Sequence, residues 1–184
     1  MPDDQGRARI GEFIEKLTAA LGPKGVSTDA HEIEPLVRDW RGRWQGSTPV
    51  LVKPASTEEV STTLKLCAEF GLAVTPQGGN SGMVNGSIPY GEVLVSLRRM
   101  NRVRGVDVLN DAMTLEAGVI LTTAQGVADT NDRLFPLSLG AEGVATIGGL
   151  ISTNAGGVAV LRYGMMRDLV LGIEAVLADG RIWN

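Results

Sequence analysis

Apolar residues near the start of the chain fall at helical spacing: Ile10, Phe13, Ile14, Leu17 and Leu21 share one face of residues 6–21. Gly22-Pro23 stops that pattern, so one amphipathic helix is predicted there. Residues 22–48 show no period and read as irregular, with Arg and Trp crowded into Asp39-Trp40-Arg41-Gly42-Arg43-Trp44. From position 50 the pattern turns regular. Val50-Leu51-Val52 is a short apolar strand ended by Pro54. Ser56-Thr57-Glu58-Glu59 is a capping box, Ser at the N-cap with Glu three residues on. It opens a helix through Val60, Leu64, Cys67 and Phe70 that Gly71 closes. Leu72-Ala73-Val74-Thr75 is a second buried strand, so a β-α-β unit running into a glycine loop spans 50–86. A third strand covers 93–97, and 103–109 pairs with 113–117 around an Asn110-Asp111 turn. A helix is predicted over 121–130, and a buried last strand over 173–178 turns at Asp179-Gly180 into a return strand from Arg181.

Two glycine-rich runs interrupt this pattern and hold ten of the 24 glycines. The first is Pro76-Gln77-Gly78-Gly79-Asn80-Ser81-Gly82-Met83-Val84-Asn85-Gly86; the second covers 139–157. Glycine admits positive φ and lets a ligand approach the main chain. Successive N–H groups can then converge on a phosphate. Two such runs read as two walls of one phosphate-bearing cofactor site. Neither contains G-x-G-x-x-G, a Gly-Lys-Ser/Thr phosphate loop or a G-x-S-x-G elbow. Taken singly, the first run also fits a tight turn, and Gly148-Gly149 and Gly156-Gly157 also fit close helix packing.

Composition narrows the classes. A chain of 184 residues supports one good core or two small lobes. Glycine, 24 of 184, is nearly twice the usual share of about 7%. A net charge of −4 argues against a nucleic-acid surface. It leaves a phosphorylated cofactor open, because main-chain N–H groups can hold a diphosphate. The single Cys67 excludes an internal disulfide, and Cys67 with the single His31 excludes a zinc cluster. No secretory signal and no membrane span is read, since Thr146, Ser152, Thr153 and Asn154 break the longest apolar stretch, so a reducing, cytoplasmic location is expected.

In order along the chain, residues 76–86, residues 139–157, Leu161-Arg162-Tyr163-Gly164 and residues 170–180 resemble the FAD-binding domain of the vanillyl-alcohol oxidase or PCMH-type flavoproteins, the FAD-linked oxidases. The resemblance covers 49–184, with weaker likeness at Asp39-Trp40-Arg41-Gly42. Within the family it leans to the D-2-hydroxyglutarate dehydrogenases, with D-lactate and glycolate dehydrogenases near them. It leans there on residues 76–84 and on Arg99-Met100-Asn101-Arg102-Val103.

The resemblance implies an α+β fold of PCMH type, two α/β subdomains, C-terminally incomplete. Residues 1–48 would be a helix and irregular lead-in, 49–101 the first FAD-binding subdomain and 102–184 the second. It implies FAD as cofactor. Gly78, Gly79, Asn80, Ser81, Gly82 and Met83 would wrap its diphosphate. Leu139, Gly140, Gly143, Thr146, Gly148 and Gly149 would line the ribityl chain and the other side of the diphosphate. Thr153, Asn154, Gly156 and Gly157 would pass close to the ring system, and Ile173 would face the adenine. Some relatives bind flavin covalently through a His in the first loop; Asn80 stands at that position, so attachment is expected to be non-covalent. The activity implied is oxidation of a small D-2-hydroxy acid, best D-2-hydroxyglutarate, to the 2-oxo acid by hydride transfer to flavin. Catalytic His and Arg, and often a metal, lie in a further substrate domain of the family, so no catalytic or metal-binding residue is named here and the chain alone is expected to be silent. The electron acceptor stays open, and a homodimer is compatible. Two other classes stay open: a free-standing flavin-binding or electron-transfer module, and a non-flavin interaction domain.

Several residues keep a plain reading. His31 is expected to be solvated and Cys67 to be a small core residue. Arg162-Tyr163 reads equally as a cofactor contact or a stacked anchor. Trp40, Arg41, Arg43 and Trp44 read as core and rim packing or as a cover for the flavin mouth. Asn85-Gly86-Ser87 is a chance sequon.

Overall fold

The computed structural model describes residues 4–184, which form two compact units. The first holds the described residues through Gln77, Gly82–Ser96 and Glu174–Asn184; the second holds Gly78–Ser81 and Leu97–Ile173.

In the first unit, α1 (Asp4–Leu21) contains the predicted helix and extends it by two residues at its start; β1 (Val26–Ser27) and α2 (Ala30–Ile33) follow. Then come β2 (Leu51–Val52), α3 (Thr57–Glu69), β3 (Val74–Gln77) and β4 (Val93–Ser96). The four strands lie in the order β1-β2-β4-β3, with β2, β4 and β3 parallel and β1 antiparallel at the edge. Val50, Leu51, Val52, Val93, Leu94 and Val95 are all buried. Their unbroken apolar runs suit parallel strands covered on both faces. Helix α1 packs on α3 through Phe13 and Phe70, whose ring centroids lie 5.6 Å apart edge to face.

The Ser56 side chain caps α3 by accepting the Glu59 N–H at 3.2 Å. The Glu59 carboxylate reaches one residue further back than the capping-box pattern predicts, accepting the Ala55 N–H at 2.8 Å. Ser56→Ala should lower stability by about 1 kcal/mol. The check is urea unfolding, with a lower midpoint and an unchanged slope; an unmoved midpoint would deny the cap a role.

The second unit opens with a 3-10 turn at Leu97–Arg99, followed by the hairpin β5 (Val103–Asp107) and β6 (Ala112–Leu115). Asp111 takes φ 51 in the predicted turn. The predicted helix is α4 (Leu121–Thr130); α5 (Ile147–Ser152) and α6 (Val160–Tyr163) are short. Val119, Leu121, Ala124, Leu137, Ala145, Ile147, Leu150 and Met166 make its core. Under the hairpin, the Glu116 side chain is 0% exposed and ion-paired with Arg102 and Arg104.

The chain then rejoins the first unit as the hairpin β7 (Ala175–Val176) and β8 (Ile182–Trp183). The predicted last strand is thus short, and Ile173 precedes it, 59% exposed rather than buried. Among the described residues β7 pairs only with β8. The Thr57 hydroxyl donates to Glu174, and the Ser61 hydroxyl to the Gly180 carbonyl, which ties this hairpin to α3.

The two units divide the chain differently from the expected ranges 1–48, 49–101 and 102–184, for local reasons. The lead-in belongs to the first unit because β1 pairs with β2 and the Ser47 N–H donates to the Pro89 carbonyl. The tail joins it through α3. Residues 78–81 leave it for the second unit.

Candidate cofactor site

The first glycine run begins where β3 ends. Buried Gln77 fixes that end: its amide donates to the carbonyls of Leu36 and Ser87, 2.8 Å each, so strand end and loop return are held by one side chain. The chain then bends through Asn80 at φ 55 and Asn85 at φ 65. Both left-handed positions fall on asparagine, the residue after glycine that tolerates them best.

Within the second unit, residues 78–81 lie against residues 144–146 of the second run. A Cβ on Gly78 would overlap the Thr146 hydroxyl, and one on Gly79 would overlap the Val144 carbonyl oxygen. Gly79 does not take a positive φ, so glycine is needed here for approach, not for backbone conformation. Arg98 donates from Nε to the Gly78 carbonyl at 3.2 Å and from Nη2 to that of Gly79 at 3.4 Å. In the same unit, the N–H groups of Gly79 and Ser81 donate to no main-chain carbonyl among the described residues.

Thr146 is 3% exposed, and its hydroxyl oxygen has no hydrogen-bond partner among the described residues. An unpartnered buried hydroxyl is costly unless a ligand or water meets it. Thr146 lines a cavity of about 270 Å³ with Arg98, Asn101, Gly118, Ile120, Thr123 and Val144. Within this unit a Cβ added at Gly140 or Gly143 would meet nothing within 4 Å, which leaves room beside the main chain. Open N–H groups, an unspent hydroxyl and clear space fit a phosphate-bearing cofactor such as FAD.

The rest of the second run is tied mostly to protein. Gly148, in the first turn of α5, donates its N–H to the Ala117 carbonyl at 2.8 Å, and Gly149 sits beside the Thr146 hydroxyl. Leu139 packs on the core of this unit. The Thr153 hydroxyl donates to the Gly149 carbonyl at 2.9 Å, and Asn154 accepts the Arg167 N–H at 2.9 Å. Gly156 lies by the Met165 methyl, and Gly157 is pressed against the Ser138 carbonyl. Gly82 and Met83 belong to the first unit, and Ile173 to the second.

Sequence reasoning missed Arg98, Gly118, Ile120 and Thr123. A cation one residue past a strand end was the one signal for Arg98; the others fall in no motif. Among the remaining candidates, His31 is exposed on α2, and burial pushes the Cys67 thiol up to about 11, which leaves it inert as a nucleophile. The Arg162 guanidinium stacks on its neighbour Tyr163 at 5.4 Å. Among the described residues no group of His, Cys, Asp and Glu is placed to hold a metal ion. No described helix is long and apolar enough to cross a membrane.

Residues 48–184 match the family model described as FAD binding domain. The chain is 45% identical over 166 residues to the mitochondrial D-2-hydroxyglutarate dehydrogenase of Danio rerio, covering 90% of this chain and 31% of that protein. It is 40% identical over 152 residues to the D-2-hydroxyglutarate–pyruvate transhydrogenase of Saccharomyces cerevisiae, covering 82% and 31%. The fold matches that of alkyldihydroxyacetonephosphate synthase with a TM-score of 0.83 at 22% identity, over 91% of this chain and 33% of that one. The chain therefore spans about a third of the length of these relatives.

Proposed function

We propose, from the fact that this chain belongs to the FAD-binding domain family, that it is the FAD-binding portion of a dehydrogenase oxidising D-2-hydroxyglutarate to its 2-oxo acid. The observation that carries the binding half is the contact of residues 78–79 with residues 144–146, beside open N–H groups and the unspent Thr146 hydroxyl. The 45% identity to a D-2-hydroxyglutarate dehydrogenase supports the substrate.

In this reading the N–H groups of Gly78, Gly79, Asn80, Ser81, Gly82 and Met83 hold the diphosphate. Leu139, Gly140, Gly143, Thr146, Gly148 and Gly149 bind along the ribityl side. Thr153, Asn154, Gly156 and Gly157 shape the backbone near the ring system, and Ile173 covers the adenine. When bound, FAD would supply the redox chemistry by taking up the hydride from the substrate α-carbon. This chain's residues orient the cofactor and exclude water from its diphosphate; the acid–base groups belong to the substrate-binding portion of the whole protein.

With Asn80 where a linking His would stand, the flavin is held non-covalently. Acid precipitation of the full-length protein should leave yellow flavin in the supernatant, and flavin in the pellet would refute this. Anaerobically, D-2-hydroxyglutarate should bleach the bound flavin faster than D-lactate or glycolate; no bleaching by any of the three would overturn the activity. The same proposal includes a homodimer, read by light scattering. It also includes a cytoplasmic location, on the single, unpaired Cys67; the Danio rerio relative is named mitochondrial, and cell fractionation decides between the two.

A further inference from the structure

Asp39 is charged yet 4% exposed, in a segment with little regular structure. Its carboxylate accepts the Trp44 N–H at 2.8 Å and the Arg41 N–H at 3.1 Å. The Gly42 N–H closes back on the Asp39 carbonyl at 2.9 Å. One buried carboxylate thus holds a tight turn over 39–44, on which Trp40 and Arg41 are exposed.

The Arg41 guanidinium lies 4.6 Å from the centre of the Trp40 ring, and its Nη2 is 3.2 Å from the Met83 sulfur, within the same unit. A thioether is a weak acceptor and an indole face offers none in the guanidinium plane. Among the described residues no carboxylate pairs with Arg41. Most of its five N–H donors are left for a ligand. Beside it, the N–H groups of Gly82 and Met83 donate to no main-chain carbonyl among the described residues. A planar donor fork, stiffened by stacking and next to open main-chain N–H groups, is the donor set that recognises a phosphate in bidentate fashion.

We infer that Arg41, held by Asp39 and stacked on Trp40, is a further anchor for the cofactor diphosphate at the Met83 end of the glycine loop. The inference rests on the FAD reading above and adds a residue from outside both glycine runs.

The test is a titration of the apo form of the full-length protein with FAD, with ADP and with riboflavin, followed by flavin fluorescence or by competition. Arg41→Ala should weaken FAD and ADP about tenfold to fiftyfold, the loss of a charge-assisted pair, and leave riboflavin unchanged. Its affinity for FAD should also fall less steeply with salt. Arg41→Lys should recover part of the loss. Arg43→Ala removes a neighbouring exposed cation and should change FAD affinity by less than about twofold. Thermal melts check the fold; should Arg41→Ala melt early, Arg41→Lys and the salt dependence decide. Unchanged FAD and ADP affinity in Arg41→Ala would overturn the inference, as would an equal loss for riboflavin, which would place Arg41 against the ring system. Unchanged FAD affinity with weakened binding of D-2-hydroxyglutarate would also overturn it, assigning Arg41 to a substrate carboxylate. A wild-type protein that takes up no FAD would sink the FAD reading itself, whatever Arg41 does.

Discussion

Gly79→Val is expected to strip the protein of FAD while leaving most of its secondary structure. A Cβ at this position meets the Val144 carbonyl oxygen, and Ala145 Cα lies 3.2 Å away. Both are main-chain atoms in the second glycine run, so no rotamer change relieves the overlap. Either residues 78–81 move away from 144–146 or the strain stays, and overpacking of this kind costs about 1–3 kcal/mol. Movement would break the Arg98 bonds to the Gly78 and Gly79 carbonyls and turn the N–H groups out of their row. Affinity for FAD should fall by about 100-fold or more, equivalent to roughly 2.8 kcal/mol. Flavin content after purification and a far-ultraviolet dichroism spectrum measure the two halves of this expectation. Normal flavin loading would reduce the loop to a turn. Gly79→Ala should fall between the two, since the first added carbon already makes the overlap.

Glu116→Ala is expected to cost about 3 kcal/mol of stability, the low end for breaking a buried ion pair. The carboxylate accepts the Arg102 N–H at 2.8 Å, Arg102 Nε at 3.0 Å and Nη2 at 2.8 Å. The low end applies because the arginines are 69% and 39% exposed and can rehydrate once the partner is gone. The Arg102 N–H loses its acceptor, and the start of β5 loses its tie to the end of β6. Burial by itself would raise the Glu116 carboxyl, but the Arg102 hydrogen bonds and charge outweigh it and hold the group below its ordinary 4.5. A carboxyl depressed in the folded state adds stability above its unfolded value and loses it as pH falls through the folded one. The gap between wild-type and Glu116→Ala melting temperatures should therefore be full at pH 7 and narrow below about pH 4.5. A gap constant down to pH 3 would show that packing, not charge, makes the contribution.

The elements that sequence reading places well are those fixed by nearby residues. Helix α1 follows from the spacing of Phe13 and Leu17, α3 from the Ser56 cap, and the β5–β6 hairpin from Asn110-Asp111. Helical period, caps and tight turns act over a few residues, so they are written locally. The glycine runs are legible for the same reason, and so is the family to which they belong. Less legible is what each glycine is for. Asn80 carries the left-handed turn, as its residue type allows, but that Gly79 avoids a clash with Val144 has no local signature.

By itself, then, the sequence determined α1, α3, α4 and, in outline, the strands β2 to β8, but not β1, α2, α5 or α6; it also determined the two glycine loops, the absence of a disulfide framework and the FAD-binding family. Only the tertiary structure decided that β4 lies between β2 and β3, that Glu116 is buried beneath two arginines, that Arg98 turns the loop carbonyls, and that Arg41 reaches Met83. Each of these joins residues distant in sequence or depends on which side chain loses its water. Such contacts are selected by the packing of the whole unit, where burial and close approach outweigh local preference.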